Sequence, residues 1–253
     1  MSSTAQNEYS NAAKTTGFWT NPNRPLVMGD ILGRWPAFDL LDPQRGELIL
    51  DAGCGAGYMS RLYAAKRGAN VHGMDINPDM LAAARAANEV DGLPIRYSLG
   101  DISEADLGDG IYDAVACVAV AFHLTRHEVE RFIRSAYKAL KPGGRLLLAY
   151  SSSTLMEAGA SQDLGWARYD GPLAYDGQSA LWTEHYANAA GQVFVSQVWG
   201  HQTKNIHEMM FDAGFTSVLH QGSMVQHKDL DVVNVPMSFP TGYVAFERLL
   251  AFK

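Results

Sequence analysis

The chain has 253 residues, 47% of them hydrophobic and 19% charged, enough apolar material for one large core and too much for a mainly disordered protein. Twenty basic residues against 27 acidic ones give a net charge of −7, and no basic run offsets it, so a nucleic-acid partner is not expected. The first eight residues lack the basic and apolar parts of a signal peptide, and the longest apolar run, residues 114–122, is too short for a bilayer. With only Cys54 and Cys117, both in apolar or glycine-rich segments, a reduced cytoplasmic protein away from the membrane is expected.

The predicted elements divide the chain into an N-terminal helical or lid segment (1–43), a core (44–151), an inserted cap (152–203) and a completing segment (204–253). Residues 47–51 form a short apolar strand ending in an acid, followed by a glycine-rich turn and a helix that stops at Gly68. A second strand, 71–75, leads to Asn77-Pro78, an N-cap followed by a proline at the first helical position. Strands at 94–98 and 111–120 come next, the latter apolar enough to be covered on both faces. Thr125-Arg126-His127-Glu128 has capping-box spacing, and Val129, Phe132, Ile133, Ala136, Tyr137 and Leu140 follow at helical intervals. Lys141-Pro142-Gly143-Gly144 ends that helix ahead of a fifth strand at 145–150.

Residues 152–203 read as irregular and aromatic, too long for a plain loop, and placed where a cap would cover a ligand crevice. A helix with Ile206, Met209, Met210 and Ala213 stops at Gly214, and strands near 216–220 and 243–252 can pair as an antiparallel edge. This alternation predicts an α/β fold: a doubly wound, seven-stranded, mostly parallel Rossmann-like sheet with an antiparallel edge strand and an inserted cap.

The functional signal lies at the strand ends. Asp51-Ala52-Gly53-Cys54-Gly55-Ala56-Gly57 lets a ligand approach the main chain closely, but Tyr58 stands where a dinucleotide fingerprint needs a glycine. A carboxylate just before the turn opposes a pyrophosphate and suits an ammonium group. Asp75, ending the second strand, is placed to accept bonds from both hydroxyls of a ribose. The set asks for a nucleoside with a positively charged, amino-acid-like tail.

In these features the chain resembles the class I S-adenosylmethionine-dependent methyltransferases. Asp51, Gly53, Gly55 and Gly57 match the family's acidic glycine motif, and Asp75 its ribose ligand. Gly100-Asp101-Ile102 matches the step beside the adenine, Tyr112 to Cys117 the fourth-strand signature, and Leu140 to Gly144 the turn before strand five. The resemblance implies S-adenosylmethionine as cofactor and S-adenosylhomocysteine as product, with Cys54, Ile76, Met80, Cys117 and Val118 also lining the cofactor site. It further implies a lid role for Tyr9.

In place of the hydrophobe-His-His step of many relatives, this chain has Ala121-Phe122-His123, which leaves His123 as the candidate general base, suited by an ordinary pKa of about 6.5. Trp166, Tyr175, Trp182, Tyr186 and His201 of the cap are the candidate contacts for the methyl acceptor. No metal site is expected: His123 and His127 are four apart, but Thr125 caps the helix between them. The implied reaction is methyl transfer to nitrogen or oxygen of a small, planar or heteroaromatic metabolite. Carbon methylation of a quinone-type acceptor, a NAD-dependent oxidoreductase and a binding protein with altered activity are the alternatives.

Overall fold

A computed structural model describes residues 29–161, 167–187, 193–224 and 244–253. Tyr9 and Trp166 lie outside the described residues, as does the side chain of Tyr186.

Seven strands form the main sheet: β1 (Leu48–Ala52), β2 (Asn70–Asp75), β3 (Ile95–Leu99), β4 (Tyr112–Val118), β5 (Leu140–Ser151), β9 (Ser217–Met224) and β10 (Val244–Phe252). Their order is β3-β2-β1-β4-β5-β10-β9. β1 through β5 pair in parallel, and β10 runs antiparallel to both of its neighbours. The predicted mostly parallel sheet with an antiparallel edge is therefore the observed one.

Helices cover both faces. On one, α1 (Trp35–Leu41) and α2 (Tyr58–Arg67) bury Ala37, Leu41, Met59 and Tyr63 against Ile49, Val71, Ala116 and Leu147. On the other, α4 (Arg126–Ala139) and α6 (Thr203–Ala213) bury Val129, Phe132, Ile133, Ile206 and Met210 against Leu50, Val115 and Leu148. α3 (Pro78–Asp91) packs on β2 and β3 and is capped by Asn77, whose side chain accepts from the N–H groups of Asp79 and Met80. The capping box at α4 also forms: Glu128 N–H donates to Thr125 Oγ1, and Thr125 N–H donates to Glu128 Oε2 at 2.8 Å.

Two expectations change. Lys141 to Gly144 do not precede the fifth strand but bulge within it, between Leu140, paired with Tyr112, and Arg145, paired with Ala114. The cap is regular: after α5 (Ser153–Ser161), strands β6 (Ala167–Asp176), β7 (Ser179–Ala187) and β8 (Val193–Gly200) form an antiparallel sheet in that order. Ala167, Tyr169, Trp182 and Val198 point inward, while Arg168, Asp170, Thr183 and His185 lie on the opposite face. Such half-polar strands are what a sheet packed on one side requires. The inward residues share a small core with Leu32, Leu155, Met156 and Phe246. Among the described residues, no helix is long and apolar enough to cross a membrane.

The capping box sets where α4 begins, just past the turn that leaves β4. Thr125→Ala is expected to lower the unfolding free energy by about 1 kcal/mol in denaturant titration, and Thr125→Ser by much less.

Candidate functional site

The strand order reverses between β1 and β4, because the helix after β1 packs on one face and the helix after β4 on the other. Such a reversal opens a crevice at the carboxyl ends of the strands. The glycine loop lines it. Gly53, at φ +77°, permits a tight turn in which any Cβ would collide with Val120. Gly55 differs: at φ +52°, the position of its absent Cβ meets nothing within 4 Å. The loop is tied down behind that opening, with Gly53 and Cys54 N–H donating to Met74 O at 2.8 and 3.0 Å.

Carboxyl groups stand at the ends of β1 and β2 and just past the end of β3. Asp75 accepts from Gly55 N–H at 2.7 Å through Oδ2 and from Asn77 N–H at 2.9 Å through Oδ1. Burial raises its pKa, opposed by bonds from the Asn77, Gly55 and Ile76 backbone. Each oxygen retains acceptor capacity for a further donor. Asp101 uses Oδ1 for the N–H and hydroxyl of Ser103, at 2.9 and 2.8 Å. Ile102 and Met80 are buried, Ile76 is partly exposed, and Gly100 lies against Met74.

Asp51 is the most confined, at 2% exposure. Desolvation pushes its carboxyl up to about 6, opposed chiefly by Ser60, whose hydroxyl donates to Oδ2 at 2.5 Å. Arg34 adds a positive field. It belongs to a π-helical segment, Gly29–Arg34, and pairs at 3.1 Å with the fully buried Asp30. Sequence reading missed Asp30, Arg34 and Ser60. The i, i+4 spacing of Asp30 and Arg34 was a visible hint, whereas their approach to Asp51 depends on tertiary packing.

At the end of β4, Cys117 and Val118 are buried, and Ala119 adopts φ +60°, with its N–H donating to Ala149 O at 2.7 Å. Burial pushes both thiols up, Cys54 further through Asp51 and Asp75, so neither is a nucleophile at neutral pH.

Two histidines depart from expectation. His123 lies in a single turn, Ala121–His123, against Phe122, and the Gln197 backbone bonds to it. Burial holds its pKa down to about 3, so the imidazole is neutral and a poor proton acceptor near pH 7, against the value of 6.5 assumed for a base. His201 is 1% exposed and fully engaged. Its Nε2 lies 3.0 Å from the carbonyls of Ala121 and Leu124, and its Nδ1 lies 2.8 Å from Ser179 Oγ. Carbonyls only accept, so Nε2 carries the proton and Nδ1 accepts from Ser179. No ring atom remains for an acceptor molecule: His201 clips the cap to the turn after β4. Trp182 is likewise buried in the cap core, and Tyr175 is 70% exposed. Among the described residues, no group of three or more His, Cys, Asp or Glu could hold a metal ion.

Residues 49–144 match the family of methyltransferase domains. Over 128 residues the chain is 36% identical to a malonyl-[acyl-carrier protein] O-methyltransferase of Serratia marcescens, covering 50% of this chain and 46% of that protein. It is 29% identical over 133 residues to an 18S rRNA (guanine-N(7))-methyltransferase of Schizosaccharomyces pombe, covering 47% of this chain and 46% of that one. The chain thus spans about half the length of these relatives. The fold resembles that of the Burkholderia thailandensis 1,6-didemethyltoxoflavin-N1-methyltransferase, solved with that substrate and S-adenosylhomocysteine. The TM-score is 0.58 at 17% identity, over 98% of this chain and 86% of that one.

Two outcomes follow from the burial of these groups. His201→Ala should cost about 2–3 kcal/mol of stability by removing the imidazole from Leu124 O and Ser179 Oγ and one of two donors from Ala121 O, measured by denaturant unfolding. Asp51 has a folded pKa near 6 against an ordinary 3.8, so the folded state binds the proton more tightly. Its contribution is therefore lost as pH rises from about 4 to 6. Asp51→Asn should accordingly stabilise the ligand-free protein at pH 7.5, by at most about 3 kcal/mol, with the gain vanishing towards pH 4 in thermal melts.

Proposed function

We propose, from the premise that the chain belongs to the class I S-adenosylmethionine-dependent methyltransferases, that it is a cytoplasmic enzyme methylating a nitrogen or oxygen of a small, planar metabolite. The observation that carries this reading is the set of carboxyls at Asp51, Asp75 and Asp101, disposed around a glycine loop that opens at Gly55. A buried carboxylate beside a loop without Cβ atoms fits a ligand with an ammonium tail and does not fit a pyrophosphate.

When bound, S-adenosylmethionine supplies an electrophilic methyl group on a sulfonium. The chain's residues bind, orient and exclude water. Asp51 would face the ammonium and Arg34 the carboxylate of the methionine portion, while Gly53, Gly55 and Gly57 would leave room for it. Asp75 would hold the ribose hydroxyls, Asp101 with Ile102, Ile76 and Met80 would frame the adenine, and the Cys117–Val118 backbone would close the site. The cap sheet shields the acceptor and holds it in line with the methyl group, a placement worth several kcal/mol. A neutral His123 fits a positioning role better than that of a base, since its environment opposes protonation.

The relatives' names span an acyl carrier, an rRNA base and a heteroaromatic, so the family alone does not choose the acceptor. The net charge of −7 favours a small molecule over nucleic acid.

Calorimetry with S-adenosylmethionine, S-adenosylhomocysteine and NAD tests the reading. The first two should bind and NAD should not, and NAD binding alone would restore the oxidoreductase alternative. Asp75→Ala should weaken S-adenosylhomocysteine at least about tenfold while the protein stays folded, the size of one or two charge-assisted hydrogen bonds. Unchanged affinity would remove Asp75 from the site.

A further inference from the structure

The inner face of the cap sheet is apolar at Ala167, Tyr169, Trp182 and Val198, yet it carries a carboxyl at Glu184. Strand alternation puts Glu184 on the same face as Trp182, and the register sets it opposite Tyr169 on one side and Ser196 on the other. Tyr169 OH donates to Oε1 at 2.8 Å, and Ser196 Oγ donates to Oε2 at 3.4 Å. Among the described residues, no Lys, Arg or His pairs with it. Burial raises its pKa, and the two hydroxyls only partly offset that. A carboxylate accepts about four hydrogen bonds, so half of its capacity is unused. A half-buried carboxyl supported only by neutral hydroxyls has room for a charged partner.

That face meets the turn that leaves β4: Ser196, which bonds to Glu184, is followed by Gln197, whose backbone bonds to His123. Its core includes Leu32 and Phe246, and Phe122 packs both on this core and on the one beneath β4. Phe122 thus bridges the end of β4 and the underside of the cap. We propose that Glu184 recognises the acceptor, and that the acceptor is a planar nitrogen base presenting cationic or amidine-like N–H groups to this carboxyl. This deepens the methyltransferase reading and rests on it.

The opposite charge nearby is less suited to the task. Arg248, 2% exposed, already donates to Leu32 O at 2.7 Å, Ser223 Oγ at 2.6 Å and Gln221 Oε1 at 3.1 Å. It is committed to fastening the Gly29–Arg34 segment, and an anionic acceptor is the outcome that would reinstate it.

Three isosteric probes separate these cases: benzamidine, benzamide and benzoate, titrated into the wild-type protein saturated with S-adenosylhomocysteine. Benzamidine should bind at least tenfold more tightly than benzamide, with benzoate weakest. Glu184→Gln should abolish that preference while leaving S-adenosylhomocysteine affinity unchanged, and Tyr169→Phe should reduce it. Preference for benzoate, equal binding of the three, or no binding of any would overturn the proposal in the wild-type protein alone. So would a folded Glu184→Gln variant that keeps the preference. Failure of S-adenosylhomocysteine itself to bind would instead defeat the methyltransferase reading, which keeps the two failures distinct.

Discussion

A carboxylate desolvated at the end of a strand is the constraint around which this molecule is arranged. Asp51 has the hydroxyl and the backbone N–H of Ser60 and the field of Arg34 to set against its burial. Isolated charges in such surroundings are strongly unfavourable. The fold tolerates this one because the strand order reverses beside it, leaving a crevice at the end of β1 and β4 rather than a closed core. The turn over Asp51 must then be narrow enough to bury the carboxyl and bare enough to admit a cation. Gly53 and Gly55 meet those two demands separately, the first pressed under Val120 and the second facing open space.

The cap's position follows from a different kind of contact. Besides the bonds of Ser152 and Thr154 to β10 and the apolar core shared with Leu32 and Phe246, three contacts join it to the core at one place: the imidazole of His201 on the carbonyls of Ala121 and Leu124, the Gln197 backbone on His123, and Phe122 shared by two apolar clusters. All three meet the short segment that leaves β4. The cap sheet is therefore registered against the same backbone that bounds the crevice, and its inner face is held at a set distance from the strand ends. A neutral imidazole suits this task at His201, because a further proton on that buried ring would have to be accommodated without solvent.

Much of the core was legible because its signals are local. Asn77-Pro78, Thr125 with Glu128, Gly68 and Gly214 each act within one turn of a helix, and the apolar runs of β1 and β4 are short-range patterns. The glycine loop and the acids at the strand ends were legible for the same reason. The cap was not, since Arg168, Asp170, Glu184 and His185 interrupt its apolar residues. The period of two, polar outward and apolar inward, was present but is weaker than a continuous apolar run. The roles of His123 and His201 were illegible for a stronger reason: an unperturbed pKa describes a solvated ring, and their partners come from residues some 75–80 positions away. Asp30 and Arg34 were missed because nothing nearby in sequence reveals which strand end they approach.

The bond from Arg248 to Leu32 O spans 216 residues, and Gly33 packs on the ring of Phe246 beside it. β10 is inserted between β5 and β9, and its pairing with β5 closes a long loop through the cap, α6 and β9. The segment carrying Arg34 packs on β10 and also on β5 and β9, whereas β1 to β5 pair among themselves. The crevice thus has two parts, a floor formed from neighbouring parallel strands and a wall in which the Gly29–Arg34 segment is held against β10 by a contact distant in sequence. Loosening of β10 at its edge reaches the ligand site as the loss of that wall, without disturbing any residue of the floor.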